Sequence, residues 1–182
     1  KIFNSFFRNR NLSFDNETSI TITPFLEIET NFELEELNSK ILKKINFDKL
    51  LELKSIIKKI NSKNTIIYKS KKFSNSIVND LNLKVDLAHG RLNYEKDFLI
   101  EKNFFKCKGD LNLLEEYPLL HFNCSIAIKD KKRLLKKLSL NIKKSSDEVL
   151  ELKVKGNLNI LNKKVNFEQI LLNEKEFPKE DL

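Results

Sequence analysis

Every glycine in this chain stands in the same five-residue frame. The copies are Gly90-Arg91-Leu92-Asn93-Tyr94, Gly109-Asp110-Leu111-Asn112-Leu113 and Gly156-Asn157-Leu158-Asn159-Ile160. Each reads glycine, polar residue, leucine, asparagine, large apolar residue. The second and third copies agree further upstream, where Phe105-Lys106-Cys107-Lys108 matches Leu152-Lys153-Val154-Lys155; the first has a different upstream register. Apolar residues around these glycines recur at every second position, the period of a strand with one buried and one wet face. Glycine weakens a strand, and is tolerated where the strand bends or a bulky neighbour lies across it. The frame therefore predicts a repeated amphipathic strand with glycine on its apolar face.

Hairpin arithmetic extends this reading. With a turn at Glu115-Glu116, Leu111 faces Leu120, Gly109 faces Phe122, Cys107 faces Cys124 and Phe105 faces Ile126. All four pairs share the apolar face, and Phe122 is placed to cover the gap at Gly109. A second hairpin is expected about Ser146, pairing Ile142 with Leu150, Leu140 with Leu152 and Leu138 with Val154. A third turns near Asn162-Lys163 and returns through Val165 and Phe167. The opposition of Cys107 and Cys124 leaves two alternatives open. They form a cross-strand disulfide in an oxidising compartment, or stay as two compact apolar thiols.

Towards the N-terminus the clearest signal runs from Ile20 to Leu34. Ile20, Ile22, Leu26, Ile28, Phe32 and Leu34 share one parity with Pro24 and Thr30, and the other is mostly Thr, Glu and Asn. Fifteen residues at roughly 3.3 Å each would make a strand of about 50 Å. Pro24 cannot donate to a ladder, so it marks an edge position, a bend, or two shorter strands in line. Weaker strand candidates lie around Phe3–Phe7 and Leu12–Phe14, and a short one at Thr65–Lys69. Ile77, Leu81, Leu83, Val85 and Leu87 share a further face. Between these strands the period changes: Ile41, Ile45, Leu50, Leu53, Ile57 and Ile60 recur every three to five residues, a helical region near 39–60. Ser39 is its candidate N-cap, and Asn46-Phe47-Asp48 a candidate break. This stripe is expected to pack across one end or face of the sheet. A short helix near 131–137 follows, capped by Asp130.

The expected fold is thus mainly β with minor α: a meandering antiparallel amphipathic sheet of repeated hairpins, curved or groove-like. Residues 1–173 read as one β-rich domain, expected to be a piece of a longer protein. Residues 174–182 read as a frayed tail or the start of a missing segment.

Composition narrows the function classes. The net charge of +8 invites a nucleic-acid reading. Arginine, the residue of bidentate base and phosphate contacts, appears only at Arg8, Arg10, Arg91 and Arg133. The lysines are spread along strand faces, while the aromatics sit in the apolar parity and not among them. No nucleic-acid partner is expected. Two cysteines and two histidines lack the spacing of a structural zinc site, so no metal or cofactor is expected. Acidic residues such as Glu27, Glu29 and Glu33 alternate on wet faces and do not form a catalytic pair, so the chain is not read as an enzyme. No stretch approaches the roughly 18 apolar residues that span a bilayer. Any membrane anchor is expected outside this chain.

The stretch Asn103–Cys124, with the run Glu151–Phe167, resembles the β-rich C-terminal part of AsmA-like proteins. The likeness covers roughly residues 75–172 and rests on a strand–glycine–strand rhythm. It implies a bacterial envelope protein of the periplasm, anchored to the inner membrane and involved in outer-membrane biogenesis. It further implies an apolar sheet face that holds or transfers phospholipid or another envelope lipid. The expected lining is Ile20, Ile22, Leu26, Ile28, Phe32 and Leu34, with Leu81, Leu83, Val85 and Leu87. The competing expectation is a non-catalytic scaffold that docks other envelope proteins through strand edges.

Overall fold

The computed structural model describes residues 1–9, 12–24, 26–37, 52–69, 78–138 and 149–176. Among them, eleven strands form one open, curved sheet in the order in which they occur along the chain. They are β1 (Ile2–Arg8), β2 (Leu12–Thr21), β3 (Glu27–Leu37), β4 (Asn61–Lys69), β5 (Asp80–Ala88), β6 (Arg91–Ile100), β7 (Asn103–Asn112), β8 (Leu119–Ile128), β9 (Leu150–Asn159), β10 (Lys164–Leu172) and β11 (Lys175–Glu176). Two short helices, α1 (Lys54–Ile57) and α2 (Lys131–Lys137), accompany them. Every neighbouring pair is antiparallel except β3 and β4, which run parallel and so need a crossover between them.

Alternation sorts the side chains between two faces, because residues directly opposite in a ladder point the same way. The polar face carries most of the ion pairs among the described residues. Arg8 donates to both Asp15 oxygens at 2.9 and 2.8 Å. Lys63 sits beside Glu27 at 2.9 Å, and Lys155 meets Glu168 at 3.2 Å. The other face is mainly apolar. At one end it closes into a small core, where Ile57 of α1 meets Leu111, Leu113 and Ile160, with Leu87, Leu92 and Leu120 packed against them. Leu113 and Ile160 are the final apolar residues of the second and third glycine frames. Lys54 donates to the Glu115 carbonyl at 2.8 Å, tying α1 to the β7–β8 turn. At the opposite end Leu134 of α2 is buried, and Asp130 caps that helix by accepting from the Arg133 amide.

The hairpin register of β7 and β8 is the one expected: Leu111 with Leu120, Gly109 with Phe122, Cys107 with Cys124, Phe105 with Ile126. The third hairpin also forms, pairing Val165 with Leu158 and Phe167 with Gly156. Other expectations need correction. Ile20–Leu34 is not one long strand. β2 ends at Thr21, β3 begins at Glu27, and it returns antiparallel so that Ile20 pairs with Ile28. Pro24, with no N–H to give, lies in the turn. Alternation could not reveal this reversal, because even-numbered residues face even-numbered residues across the hairpin. The hairpin about Ser146 is also overturned where it can be checked. Leu152 pairs with Ile126 on one side and Leu172 on the other, so β9 has no edge left for it. Residues 139–148 lie outside the described residues. So do Ser39 and Asn46–Asp48, and the described helix there is α1 alone. The sheet also runs past 173, since Lys175 and Glu176 pair with Leu172 and Leu171.

The two edges differ. β11 is two residues long and charged, which blunts it against further pairing. β1 is seven residues long and exposed throughout, with Ile2 71 % and Phe6 77 % exposed. Its one charged side chain, Arg8, is engaged by Asp15 and Glu35. An exposed, largely apolar edge of this kind is prone to pair with other chains. Phe6→Lys is therefore expected to reduce self-association in concentration-dependent light scattering. Stability should change by less than about 0.5 kcal/mol, because the side chain is exposed. Unchanged scattering would show that this edge is already protected.

Candidate apolar binding face

The apolar face is built in rows that cross the strands. One runs Ile20–Ile28–Ser62–Leu87–Leu92–Leu111–Leu120–Leu158–Val165. It contains the leucine of all three glycine frames, so the repeat in sequence is a register in space. The next row alternates aromatic rings and glycines: Tyr94, Gly109, Phe122, Gly156, Phe167. A Cβ on Gly109 would collide with the His121 carbonyl and lie 2.8 Å from Tyr94 Cε1. A Cβ on Gly156 would collide with the Asn166 carbonyl and lie 2.8 Å from Phe122 Cζ. Phe122 does stand opposite Gly109, but the ring closing over Gly109 is Tyr94, and Phe122 closes over Gly156. Gly90 is different. It occupies a turn at φ +81°, because β6 runs opposite to β7 and β9 and carries its glycine to the far end.

Two further rows follow on the same face. One holds Leu83, Lys96, Cys107, Cys124 and Val154; the other holds Leu81, Phe98, Phe105, Ile126 and Leu152. Phe98 and Phe105 stack with centroids 4.7 Å apart. Cys107 and Cys124 are joined as a disulfide between β7 and β8. Most of these side chains are half-buried, and no second sheet covers them among the described residues.

Eight of the ten expected lining residues share this face. Ile20, Ile28, Phe32, Leu34, Leu81, Leu83, Val85 and Leu87 are half-buried on it. Ile22 and Leu26 are not on it; they lie in the β2–β3 turn, 74 % and 36 % exposed. The face is also not continuously apolar. Across β1 to β4 it carries a hydrogen-bonded polar patch. Asn16 Nδ2 donates to Thr18 Oγ1 at 2.9 Å and Ser5 Oγ at 3.3 Å. Thr30 Oγ1 donates to Asn64 Oδ1 at 2.7 Å, and Asn64 Nδ2 donates to Ser62 Oγ and the Val85 carbonyl, both at 3.0 Å. The most apolar part therefore lies on β5 to β10, with Tyr94, Phe98, Phe105, Phe122 and Val154, none of them among the ten expected. The sequence signal for them was the parity of the glycine frames, carried across the hairpins.

Burial pushes the Tyr94 hydroxyl above its ordinary value, with a smaller push from Asp110, and burial holds the Lys96 ammonium below its own. Among the described residues, no group of three or more His, Cys, Asp or Glu side chains is gathered to hold a metal ion, and no helix is long and apolar enough to cross a membrane. No protein-family model, curated protein or solved structure matches the chain.

Proposed function

We propose that this chain is an AsmA-like module of the bacterial envelope that holds or transfers phospholipid along the apolar face of its sheet. The observation that carries the reading is the face itself: an open sheet threaded in chain order, with half-buried apolar side chains across β5 to β10 and no covering sheet among the described residues. Such a surface gains roughly 0.8 kcal/mol for each acyl CH₂ it shields from water, without specific polar contacts. The Cys107–Cys124 disulfide suits an oxidising compartment such as the periplasm. In this reading the chain acts there, held to the inner membrane by a segment outside the chain. A second reading, a non-catalytic scaffold docking other envelope proteins, draws support from the exposed β1 edge.

Native mass spectrometry with lipid extraction, on protein purified from a bacterial periplasm, tests the choice. Co-purifying phospholipid is expected. Val85→Asp combined with Val154→Asp, both on the apolar face of β5 to β10 and checked for folding by circular dichroism, should reduce it about tenfold, since each charge opposes the burial of a neighbouring acyl chain. A folded monomer free of lipid would favour the scaffold.

A further inference from the structure

Lys96 is out of place. On β4 to β9 it is the one charged residue whose register puts it on the apolar face. The other lysines of these strands alternate onto the polar face, where Lys63 and Lys155 find carboxylates. Lys96 stands between Leu83 on β5 and Cys107 on β7, with Tyr94 and Phe98 flanking it along β6. Its ammonium is 5.7 Å from the centre of the Phe98 ring. No carboxylate among the described residues forms an ion pair with it, and burial alone lowers its affinity for a proton. A cation in apolar surroundings without a counter-ion is costly, and the cost is relieved when an anion binds beside it.

We infer that Lys96 is the headgroup anchor of the apolar face, selecting amphipaths with an anionic head, carboxylate or phosphate, over neutral ones of the same chain length. The inference rests on the reading that the face holds acyl chains, and adds to it a position and a charge preference. The tail would lie on the rings and aliphatic groups on either side, Phe98, Phe105 and Leu81 towards one end, Tyr94 and Phe122 towards the other. The ammonium would meet the head where no resident carboxylate competes.

The test compares myristate, myristyl alcohol and inorganic phosphate as competitors of a fluorescent fatty-acid probe. The variants are Lys96→Met, Lys96→Arg and Leu83→Glu. Wild type is expected to bind myristate about tenfold more tightly than the alcohol, the gain of one charge-assisted contact. Lys96→Met should remove that difference, and should raise the thermal midpoint of the ligand-free protein. Lys96→Arg should restore the preference. Leu83→Glu sets a carboxylate directly across from Lys96 and should abolish the preference from within. Equal affinity of wild type for acid and alcohol, or a preference that survives Lys96→Met, overturns the role of Lys96 and leaves lipid holding intact. Displacement of the probe by phosphate alone makes the site one for free anions and overturns the amphipath. Failure of both acid and alcohol to bind removes the lipid reading and this inference together.

Discussion

Asn103→Ala should lower stability by about 3 kcal/mol, or roughly 6–12 °C in thermal midpoint for a domain of this size. Asn103 is fully buried, at 0 % exposure, and both ends of its amide are used. Its Oδ1 accepts from the backbone amides of Lys129 and Asp130, each at 2.9 Å. Its Nδ2 donates to the Ile100 carbonyl at 3.1 Å and the Asp130 carbonyl at 3.2 Å. One side chain thus stitches the β6–β7 turn to the end of β8 and the start of α2. Alanine would strand two amides and two carbonyls in a place with little access to water, and each such group costs about 1–3 kcal/mol if it stays dry. Scanning calorimetry reads the result. A midpoint within about 2 °C of wild type would mean that water or a shifted loop replaces the side chain, and that the stitch is dispensable.

Gly109→Val and Gly156→Val are expected to cost at least about 2 kcal/mol each, for a reason unlike ordinary overpacking. In both places the nearest obstacle is a backbone carbonyl on the next strand, of His121 or Asn166, with an aromatic ring close behind. A ring can rotate, but a carbonyl in a ladder moves only with its strand. Removing the ring should therefore not help: Gly109→Val with Tyr94→Ala is expected to be no more stable than Gly109→Val alone. Gly90 provides the contrast, since its nearest neighbour is the Leu114 side chain. Gly90→Ala should cost about 1 kcal/mol, mostly from its positive φ. Urea midpoints of the four variants would separate the cases. Full rescue by Tyr94→Ala would show that the ring, not the carbonyl, excludes a side chain.

The features that could be read in advance were those set by local period and pairing arithmetic. The β7–β8 register followed from one assumed turn. The α2 cap followed from Asp130 standing directly before the helical run Lys131–Lys137. What escaped depended on information that parity does not carry. Ile20–Leu34 alternates without a break through a reversal of direction, because the turn preserves even-to-even pairing. The region about Ser146 offered a plausible hairpin on paper, but β9 had already been claimed on both sides by β8 and β10. For the candidate face, eight of ten positions could be recognised from alternation. Ile22 and Leu26 could not, since they share the parity of the strand but sit in its turn. The polar patch across β1 to β4 is not legible in the sequence because Thr30 alternates in step with an apolar row, and Asn64 opposite it precedes the short strand expected at Thr65–Lys69. Lys96 was hidden in the same way: as one of many lysines it looked like a wet-face residue until the register set it among rings.

The threading of the sheet has a mechanical consequence. Among the described residues each strand pairs only with the strand before and the strand after it in the chain, so the ladder is a zipper with two ends, and the contacts of α1 with the β7–β8 turn and its core are what reach beyond neighbouring strands. Loss of a terminal strand leaves every remaining pair with its partner, and opening should run inward from β1 and from β11. The Cys107–Cys124 bond clasps β7 to β8 well inside both ends. As the flanks peel away, that hairpin stays covalently joined, with Gly109 held near its partner Phe122.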